Sequence, residues 1–514
     1  MWRGCNKRRL FHTVFAIVIL ASLTAMPVLS APKMGGTVRM SLADSDATSF
    51  DPIVPFDNMS IWTMLHMYDQ LVRVGKDGLS VEPDAADSWK ASADGKSWTL
   101  HIRDGLTFAD GSPVTAADAK FTLERAASKD SNFEDNFALI DHAVASDPHT
   151  LVVTLKKPSA SFLAYLSLYA ASIVPEKLVN TRGKGFWERP VGSGPYVMTE
   201  WVQNDHIVLR RNARYWQKPY PYLDELRFDV LIDDNTRMLK FRGGELDIAT
   251  NVPPNQIEQL KRVNGVVVKL FPQMRYDDIY YNHARKPFND IRVRRALNSG
   301  IDRPAILRSV LFGYGRVATS MLPPMLYWNN QLPPYPLDTA RAKSLLQEAG
   351  YGNGFSTEIL INAGDSQAGQ IATILKDEWK AIGVDLKVTV LEPGTLRARS
   401  KAGEFDMIKG YYTSDVIDPD ELVAFGMDYA GGAIAKRMGF KNDRLTQLAA
   451  AAEAEINPQK RKAMYFEIQK IAYDQVATIP LYYADNRTAL WSHVHDFMQL
   501  PTANYRLWET WVSK

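Results

Sequence analysis

Cysteine is nearly absent from this chain: the only one among 514 residues is Cys5. Cys5 precedes the apolar stretch of an N-terminal segment, residues 1–30, that is described below. If that segment is cleaved, Cys5 is removed with it and is not placed for lipid modification. With one thiol the chain can form neither an internal disulfide nor a cysteine metal site. We therefore expect the fold to depend on its hydrophobic core, which 46% hydrophobic residues can build.

Long apolar runs are also missing after the N-terminal segment. Four basic residues in positions 3–9 precede an apolar stretch at 11–23, and 28–31 offers a small-residue cleavage site, which we place after Ser30. The apolar stretch is shorter than the roughly 18 residues that usually span a bilayer. We predict that residues 1–30 are a cleaved signal peptide and that the mature chain is exported to the periplasm, with an uncleaved anchor as the alternative.

The chain lacks a strong excess of charge. The formal net charge of +2 becomes −2 once the four N-terminal cations are removed, because residues 1–30 contain no acid. This balance gives no indication of a nucleic-acid or membrane-surface partner.

Catalytic signatures are missing as well. The sequence contains no Gly-x-Ser-x-Gly or His-Glu-x-x-His motif, and the acid pairs at 233–234 and 277–278 are typical of solvated or capping residues. We expect a protein that is not an enzyme and has no cofactor, and we keep a secreted hydrolase as the alternative from another class.

Helical and strand patterns alternate along the chain. Thr115 and Asp118 form a capping-box pattern, and Asp338 precedes a helical pattern that Gly350 ends. Gly383 is followed by apolar residues at every second position from 384 to 390, which predicts a strand. The pattern favours an α/β protein, and the length favours at least two domains, because single cores stop growing near 250–300 residues.

Short motifs in a fixed order give the clearest signal, and together they resemble the family 5 (peptide/opine/nickel-type) extracytoplasmic solute-binding proteins of ABC importers. Each motif is weak alone, and the resemblance extends over almost the whole mature length. The motifs are Tyr68-Asp69-Gln70-Leu71-Val72, Pro83-Asp84-Ala85-Ala86, Ser88-Trp89, Trp98-Thr99-Leu100, Arg103-Asp104-Gly105-Leu106-Thr107-Phe108, Asp110-Gly111, Gly192-Ser193-Gly194-Pro195-Tyr196, Arg211-Asn212, Tyr215-Trp216, Pro287-Phe288, Val293-Arg294-Arg295-Ala296-Leu297 and Ala349-Gly350-Tyr351.

The resemblance implies a two-lobed periplasmic binding protein fold of type II, in the large class, with the ligand in the cleft between the lobes. It implies a first lobe at 31–274 that includes an extra subdomain at about 75–190, and a second lobe at 275–486. The segment 487–514 would then complete the first lobe. The expected crossings lie near Arg275–Tyr281 and Tyr482–Arg487. The implied partners are a small-molecule or peptide ligand and the permease subunits of an ABC importer with their cytoplasmic ATPases, and the protein is expected to be a monomer.

The principal predicted site is the segment Tyr411-Tyr412-Thr413-Ser414-Asp415, which follows a strand pattern at 405–408. In peptide-binding relatives an aromatic residue stands three places before an acid that pairs with the ligand ammonium, and Tyr412 and Asp415 match that spacing. We predict Asp415 as the anchor and Tyr412 as its stacking neighbour, with Tyr411 and Ser414 beside them. The alternative is that Asp415 caps a turn or a helix near 418–419.

Other candidates come from the same resemblance. Dipeptide-binding relatives hold the ligand carboxylate with an arginine upstream of the helix that contains Trp379. This chain has Asn362 in that stretch and no arginine, so a strict free dipeptide is in doubt, while longer peptides, modified amino acids and opine-like conjugates remain open. Phe56 and Asp57 are further candidates, and the alternative there is a helix that begins at Ile61 and is capped by Asn58 or Ser60. Tyr276, Tyr327 and Trp328 are also candidates, with packing as the alternative.

Two further ligand classes stay open. Some relatives bind sugars on aromatic residues, and Asp415 could accept sugar hydroxyl groups. Metal-chelate uptake is the other alternative, because His493 and His495 would share a face in a strand, although two histidines alone indicate a metal weakly. We predict no metal site.

Overall fold

A computed structural model describes residues 1, 31–42, 45–325 and 328–513. The predicted signal segment at 2–30, with Cys5, lies outside the described residues, as does Tyr327. Among the described helices, none is both long and apolar enough to cross a bilayer.

The strands within the described residues fall into five sheets. In chain order they are β1 Thr37–Leu42, β2 Val72–Val74, β3 Val81–Pro83, β4 Ala86–Ala91, β5 Ser97–Ile102, β6 Ile140–Asp147, β7 Thr150–Leu155, β8 Tyr196–Val202, β9 His206–Arg211, β10 Glu225–Val230, β11 Ile248–Ala249, β12 Val266–Phe271, β13 Arg275–Tyr281, β14 Arg316–Val317, β15 Phe355–Asn362, β16 Val384–Leu391, β17 Met407–Thr413, β18 Thr478–Tyr483, β19 Asn486–Trp491, β20 Val494–His495 and β21 Trp511–Val512.

Helices separate most of these strands. The described α-helices are α1 Asn58–Met67, α2 Ala116–Ala126, α3 Glu134–Phe137, α4 Phe162–Tyr165, α5 Glu176–Arg182, α6 Asp234–Arg242, α7 Ile257–Leu260, α8 Ile291–Ser299, α9 Arg303–Val310, α10 Thr339–Glu348, α11 Ser366–Lys380, α12 Pro393–Ala402, α13 Pro419–Gly426, α14 Ala433–Met438, α15 Asp443–Ala454 and α16 Pro458–Asp474. Short 3-10 turns lie at Tyr169–Ala171, Gly183–Glu188, Pro254–Gln256 and Leu507–Glu509.

The two large sheets share the chain unevenly. The seven-stranded sheet has the order β12-β19-β11-β1-β10-β9-β8, and the six-stranded sheet has the order β14-β18-β13-β17-β15-β16. The chain passes from the first sheet to the second after β12, through 272–274, and returns after β18, through 484–485. Both passages are short, so the two sheets meet where these segments run side by side.

Local sequence signals explain the elements of the second half. The side chain of Asp338 accepts a hydrogen bond from the backbone N–H of Arg341 and caps α10, as the sequence predicts. Gly383, at φ +89°, separates α11 from β16, where the predicted alternation begins with Val384 and Leu386 buried. Trp379 of α11 is fully buried and donates its indole N–H to the backbone oxygen of Leu297 over 3.1 Å.

A separate four-stranded sheet, β4-β5-β7-β6, lies within the segment where the extra subdomain is expected. The predicted capping box is formed at α2, since the side chains of Thr115 and Asp118 each bond the other residue's backbone N–H.

The Gly192-Ser193-Gly194 motif packs against the end of α1. The N–H of Gly194 donates to the carbonyl oxygen of Met67 over 3.0 Å, and a Cβ built on Gly192 would lie 2.0 Å from that same oxygen. The motif therefore needs glycine for close backbone approach.

Candidate functional site

Two polar concavities of the described residues lie at the two chain crossings. One cavity, of about 390 Å³, is lined by residues from both crossing segments and from α1. A second cavity, of about 750 Å³, shares Asn251, Arg275, Gln367 and Arg487 with it, so the two adjoin. We call them together the cleft. The first cavity is lined by Phe56, Asn58, Ile61, Trp62, Tyr169, Asn251, Gln273, Arg275, Gln367, Tyr411, Thr413, Asp415, Tyr482, Ala484, Asp485, Asn486, Arg487, Gln499, Thr502 and Ala503.

Strand register decides which side chains of β17 face the cleft. Strand β17 pairs antiparallel with β13, with Thr413 opposite Arg275 and Tyr411 opposite Asp277. Because side chains alternate along a strand, Tyr411 and Thr413 lie on one face, and Tyr412 lies on the other. Tyr411 is 51% exposed and lines the cleft, whereas Tyr412 is buried beneath it.

This arrangement corrects the prediction for Tyr412. The sequence pattern ends the strand near 408, but pairing with β13 continues to Thr413, so alternation applies to both tyrosines. The ring of Tyr412 packs edge-on against Phe425, with centroids 6.0 Å apart. It is not among the lining residues and cannot stack on a ligand in the cleft.

A charged cluster supports the floor of the cleft at β13. The Nε and Nη2 atoms of Arg275 donate to the carboxylate of Asp277 over 2.7 and 3.0 Å, and the Nζ of Lys409 donates to it over 2.8 Å. Although burial favours the neutral acid, Arg275 and Lys409 together hold the pKa of Asp277 well below its usual range. The guanidinium carbon of Arg275 also lies 4.0 Å from the ring centroid of Tyr411, which fixes that ring at the cleft surface.

Asp415 lies half-buried at the cleft wall, on the loop after β17. The carboxylate of Glu421 accepts hydrogen bonds from the backbone N–H groups of Asp415, at 2.9 Å, and of Val416, at 3.1 Å. Asp415 does not cap the helix that follows. That role belongs to Asp418, whose side chain accepts a hydrogen bond from the N–H of Asp420 at the start of α13. Among the described residues, no donor bonds the carboxylate of Asp415.

Burial raises the pKa of both Asp415 and Glu421. It raises the pKa of Asp415 to about 6, and burial together with the neighbouring Asp415 raises the pKa of Glu421. A carboxylate in such a place gains from a cationic partner, since the charge is poorly solvated and has no counterion among the described residues.

Aromatic rings form the wall beside Asp415. Phe56 packs on Phe133 with ring centroids 5.1 Å apart, and Phe133 packs edge-on against Tyr169 at the same separation. Phe56 and Tyr169 both line the cleft, as does Trp62 of α1. Rings of this kind offer flat apolar area that loses little side-chain entropy on binding.

The remaining predicted site residues lie outside the cleft lining. Ser414 is buried, and its hydroxyl oxygen lies 2.6 Å from the carbonyl oxygen of Val416 and 2.7 Å from the carboxylate of Glu421. The hydroxyl of Tyr276 bonds that of Thr478 at 2.6 Å on the buried face of β13. Asn362 is half-buried at the end of β15 and lines neither cavity.

Asp57 has a capping role rather than a place in the cleft. Its side chain accepts a hydrogen bond from the N–H of Ser60 over 2.8 Å and is the cap of α1, which begins at Asn58. A helix does start here, but it begins at Asn58 and not at Ile61, and its cap is Asp57, so the predicted caps Asn58 and Ser60 are wrong. Trp328 is packed against Tyr465, with ring centroids 5.7 Å apart.

Sequence reasoning overlooked Arg275 and Arg487 as lining residues, although it placed both in the crossing segments. The available signal was the presence of two arginines at the expected crossings. It also overlooked Tyr169, Trp62 and Glu421, which no local motif distinguishes from packing residues.

The two histidines of the metal-chelate alternative have separate partners. The Nε2 of His493 lies 2.7 Å from the carboxylate of Asp247, and the ring of His495 stacks on Trp511 with centroids 4.0 Å apart. Within the part of the chain that the structure describes, no group of three or more His, Cys, Asp or Glu residues is arranged to hold a metal.

The sequence matches a known family of proteins and several of its relatives. The family model described as "Bacterial extracellular solute-binding proteins, family 5 Middle" matches residues 80–431. The glutathione-binding protein GsiB of Salmonella typhimurium is 28% identical over 480 residues, which cover 91% of this chain and 92% of that protein.

Solved structures agree in fold. The periplasmic binding protein DppA of Helicobacter pylori, in complex with the peptide STSA, is 26% identical and superposes with a TM-score of 0.83 over 94% of this chain and 99% of that one. The substrate-binding protein CtaP of Listeria monocytogenes is 22% identical, with a TM-score of 0.85 over 94% and 100% of the two chains. The predicted two-lobed α/β fold is confirmed.

Proposed function

We propose a function on one premise: the chain belongs to the bacterial extracellular solute-binding proteins of family 5. It is a solute-binding component of an ABC importer, and its ligand is a peptide-like or amine-bearing small solute. The names of two relatives support this ligand class, since one binds glutathione and the other was solved with a peptide. We further propose that the protein is a periplasmic monomer that delivers its ligand to permease subunits and catalyses no reaction.

The domain boundaries are part of the proposal. The two places where the chain passes between the large sheets support lobes at 31–274 and 275–486. At the first, β12 and β13 lie in different sheets, and at the second, β18 and β19 do. The segment 487–514 would complete the first lobe, to whose sheet β19 belongs. The four-stranded sheet supports an extra subdomain at about 75–190. The two crossings would act as the hinge, and closure on the ligand would shift the population from open to closed lobes.

One observation carries the ligand class: Asp415 presents a half-buried carboxylate to the cleft without a donor from the described residues. We propose that it binds the ligand ammonium, which would supply the missing counterion through a charge-assisted hydrogen bond. Tyr411 and Phe56 would flank the ligand, since both are exposed at the cleft surface. Ligands without a cation would leave the carboxylate unpaired and bind weakly.

The experiment compares amines that differ in one group. The purified protein is titrated calorimetrically with di-, tri- and tetra-alanine and with the same peptides N-acetylated. We expect the free amine of the best-bound length to bind at least tenfold more tightly than its acetylated form. Equal affinities would contradict the role of Asp415, and turnover of any peptide that follows the purified protein would contradict the non-enzymatic assignment.

A further inference from the structure

The cleft holds a second charged group whose partner is missing from the described residues. Arg487 is the second residue of β19, directly after the chain returns from the six-stranded sheet. Its side chain is half-buried, and it lines both cavities of the cleft. It therefore stands at the point where the two cavities join.

The hydrogen bonds of Arg487 go to neutral acceptors. Its Nε donates to the carbonyl oxygen of Val252 over 2.8 Å, and its Nη1 donates to the carbonyl oxygen of Asp485 over 3.2 Å. No carboxylate of the described residues lies within 4.0 Å of this guanidinium. Two carbonyls fix the side chain in place, but within the described part of the chain its charge has no counterion in contact.

The charged neighbours of Arg487 do not neutralise it. Arg275, the other arginine of the cleft, already donates two hydrogen bonds to Asp277, and Asp277 also holds Lys409. The carboxylate of Asp485 lies 3.8 Å from the guanidinium of Arg316. Burial, and then the nearby Arg275, lower the pKa of Arg487, and the more distant carboxylates of Asp277 and Asp234 offset this only in part. Its surroundings thus disfavour the cation that an anionic ligand would stabilise.

The adjoining side chains suit a carboxylate. Asn251 and Gln367 line both cavities beside Arg487, and Gln273 lines the first. Their amide groups donate hydrogen bonds without adding charge. A planar guanidinium presents parallel N–H groups that match the two oxygens of a carboxylate, which is a geometry that lysine and asparagine cannot reproduce.

We infer that Arg487 is a specificity-determining residue that binds an anionic group of the ligand, so that the ligand is a zwitterion held between Asp415 and Arg487. This inference rests on the proposed function, because it assigns the second end of the same ligand. Its substrate class is a peptide or amino-acid conjugate with a free carboxylate. The stretch around Asn362 has no arginine, but this does not exclude such ligands. Arg487, at the second crossing, supplies the cation for the ligand carboxylate instead.

The test uses alanine peptides of two to four residues, each as the free acid and as the C-terminal amide. Their affinities are measured by calorimetry for the unaltered protein, for Arg487→Gln and for Arg444→Gln. Arg444 is the control, because it is an exposed arginine that pairs with Glu467 and lines neither cavity. We expect the unaltered protein and Arg444→Gln to prefer the acid to the amide by at least tenfold, and Arg487→Gln to lose that preference.

The outcomes separate the two proposals. If peptides bind but acid and amide bind equally to the unaltered protein, the role of Arg487 is wrong and the proposed function stands. The same conclusion follows if Arg487→Gln keeps the preference for the acid. If no peptide binds in either form, the proposed function fails and the inference fails with it. The comparison within the unaltered protein needs no variant, so equal affinities for acid and amide would overturn the inference even if Arg487→Gln does not fold.

Discussion

The backbone N–H of Asp415 donates a hydrogen bond to the carboxylate of Glu421 over 2.9 Å. The same carboxylate accepts from the N–H of Val416 and the hydroxyl of Ser414, so a half-buried acid on α13 holds the whole turn after β17. The turn is fixed through its backbone, and the carboxylate of Asp415 is left for the cleft. Glu421 is therefore a positioning residue for the proposed anchor.

Replacing the anchor removes the proposed counterion of the ligand. We expect Asp415→Asn to lower affinity for a free-amine peptide by at least tenfold, or about 1.4 kcal/mol, because the neutral amide is no counterion for the ammonium. Calorimetry with tri-alanine measures the change. Asp443→Asn, an exposed acid at the start of α15, is the control and should bind as the unaltered protein does. Loss in both variants, or in neither, would contradict the anchor role.

Binding should depend on pH through the same group. The pKa of Asp415 is raised to about 6 in the free protein, and a bound ammonium would lower it, so binding below pH 6 must release a proton. We expect affinity to be level near pH 7 and to fall below pH 6, by up to about tenfold per pH unit. Titrations between pH 5 and 7.5 measure this. A level profile in that range would oppose the assignment, and Asp415→Asn should lose most of the dependence.

The ion pair that anchors the cap of α13 should carry much of the local stability. Arg461 donates two hydrogen bonds to the buried carboxylate of Asp418, over 2.6 and 2.7 Å. Its removal would leave a buried charge without a partner, and we expect Arg461→Ala to lower the free energy of unfolding by about 3–5 kcal/mol.

Denaturant unfolding measures that loss against an exposed pair of similar geometry. Arg444 donates to Glu467 over 2.8 and 3.0 Å at the surface, and Arg444→Ala should lower the free energy of unfolding far less, because solvent screens an exposed pair. Similar losses of unfolding free energy in Arg461→Ala and Arg444→Ala would show that burial does not decide how much an ion pair contributes.

Gly192 should tolerate no side chain, because its Cβ position lies 2.0 Å from the carbonyl oxygen of Met67. A backbone oxygen cannot rotate away, so we expect Gly192→Ala to destabilise the fold by at least about 2 kcal/mol. The control is Gly369→Ala in α11, where nothing lies within 4 Å of the added carbon. That change should be neutral or stabilise by up to about 1 kcal/mol through helix propensity. Thermal unfolding of both variants is the measurement. A loss of stability in Gly192→Ala alone would show that the close approach of Gly192 to Met67 is the cause, and a loss in both would indicate a general effect of alanine.

Local patterns were sufficient for the elements whose signals lie next to each other in the sequence. The cap at Asp338, the capping box at Thr115 and the strand from Val384 are formed as predicted, because a few neighbouring residues decide each of them. The ordered motifs likewise sufficed for the family and its fold.

The cleft lining could not be derived in that way. Tyr411 and Tyr412 are adjacent and chemically the same, and only the pairing of β17 with β13 decides which one faces the cleft. Arg275 and Arg487 are more than two hundred positions apart and line one cavity because both crossings meet there. Neither relationship leaves a periodic signal in the sequence.

The most direct test of the account is native mass spectrometry of the purified mature protein, with release and identification of any small molecule that remains bound. The account predicts a peptide-like molecule with a free amine, retained by the unaltered protein and lost from Asp415→Asn. A bound neutral sugar or metal chelate, or an amine retained equally by both proteins, would contradict it.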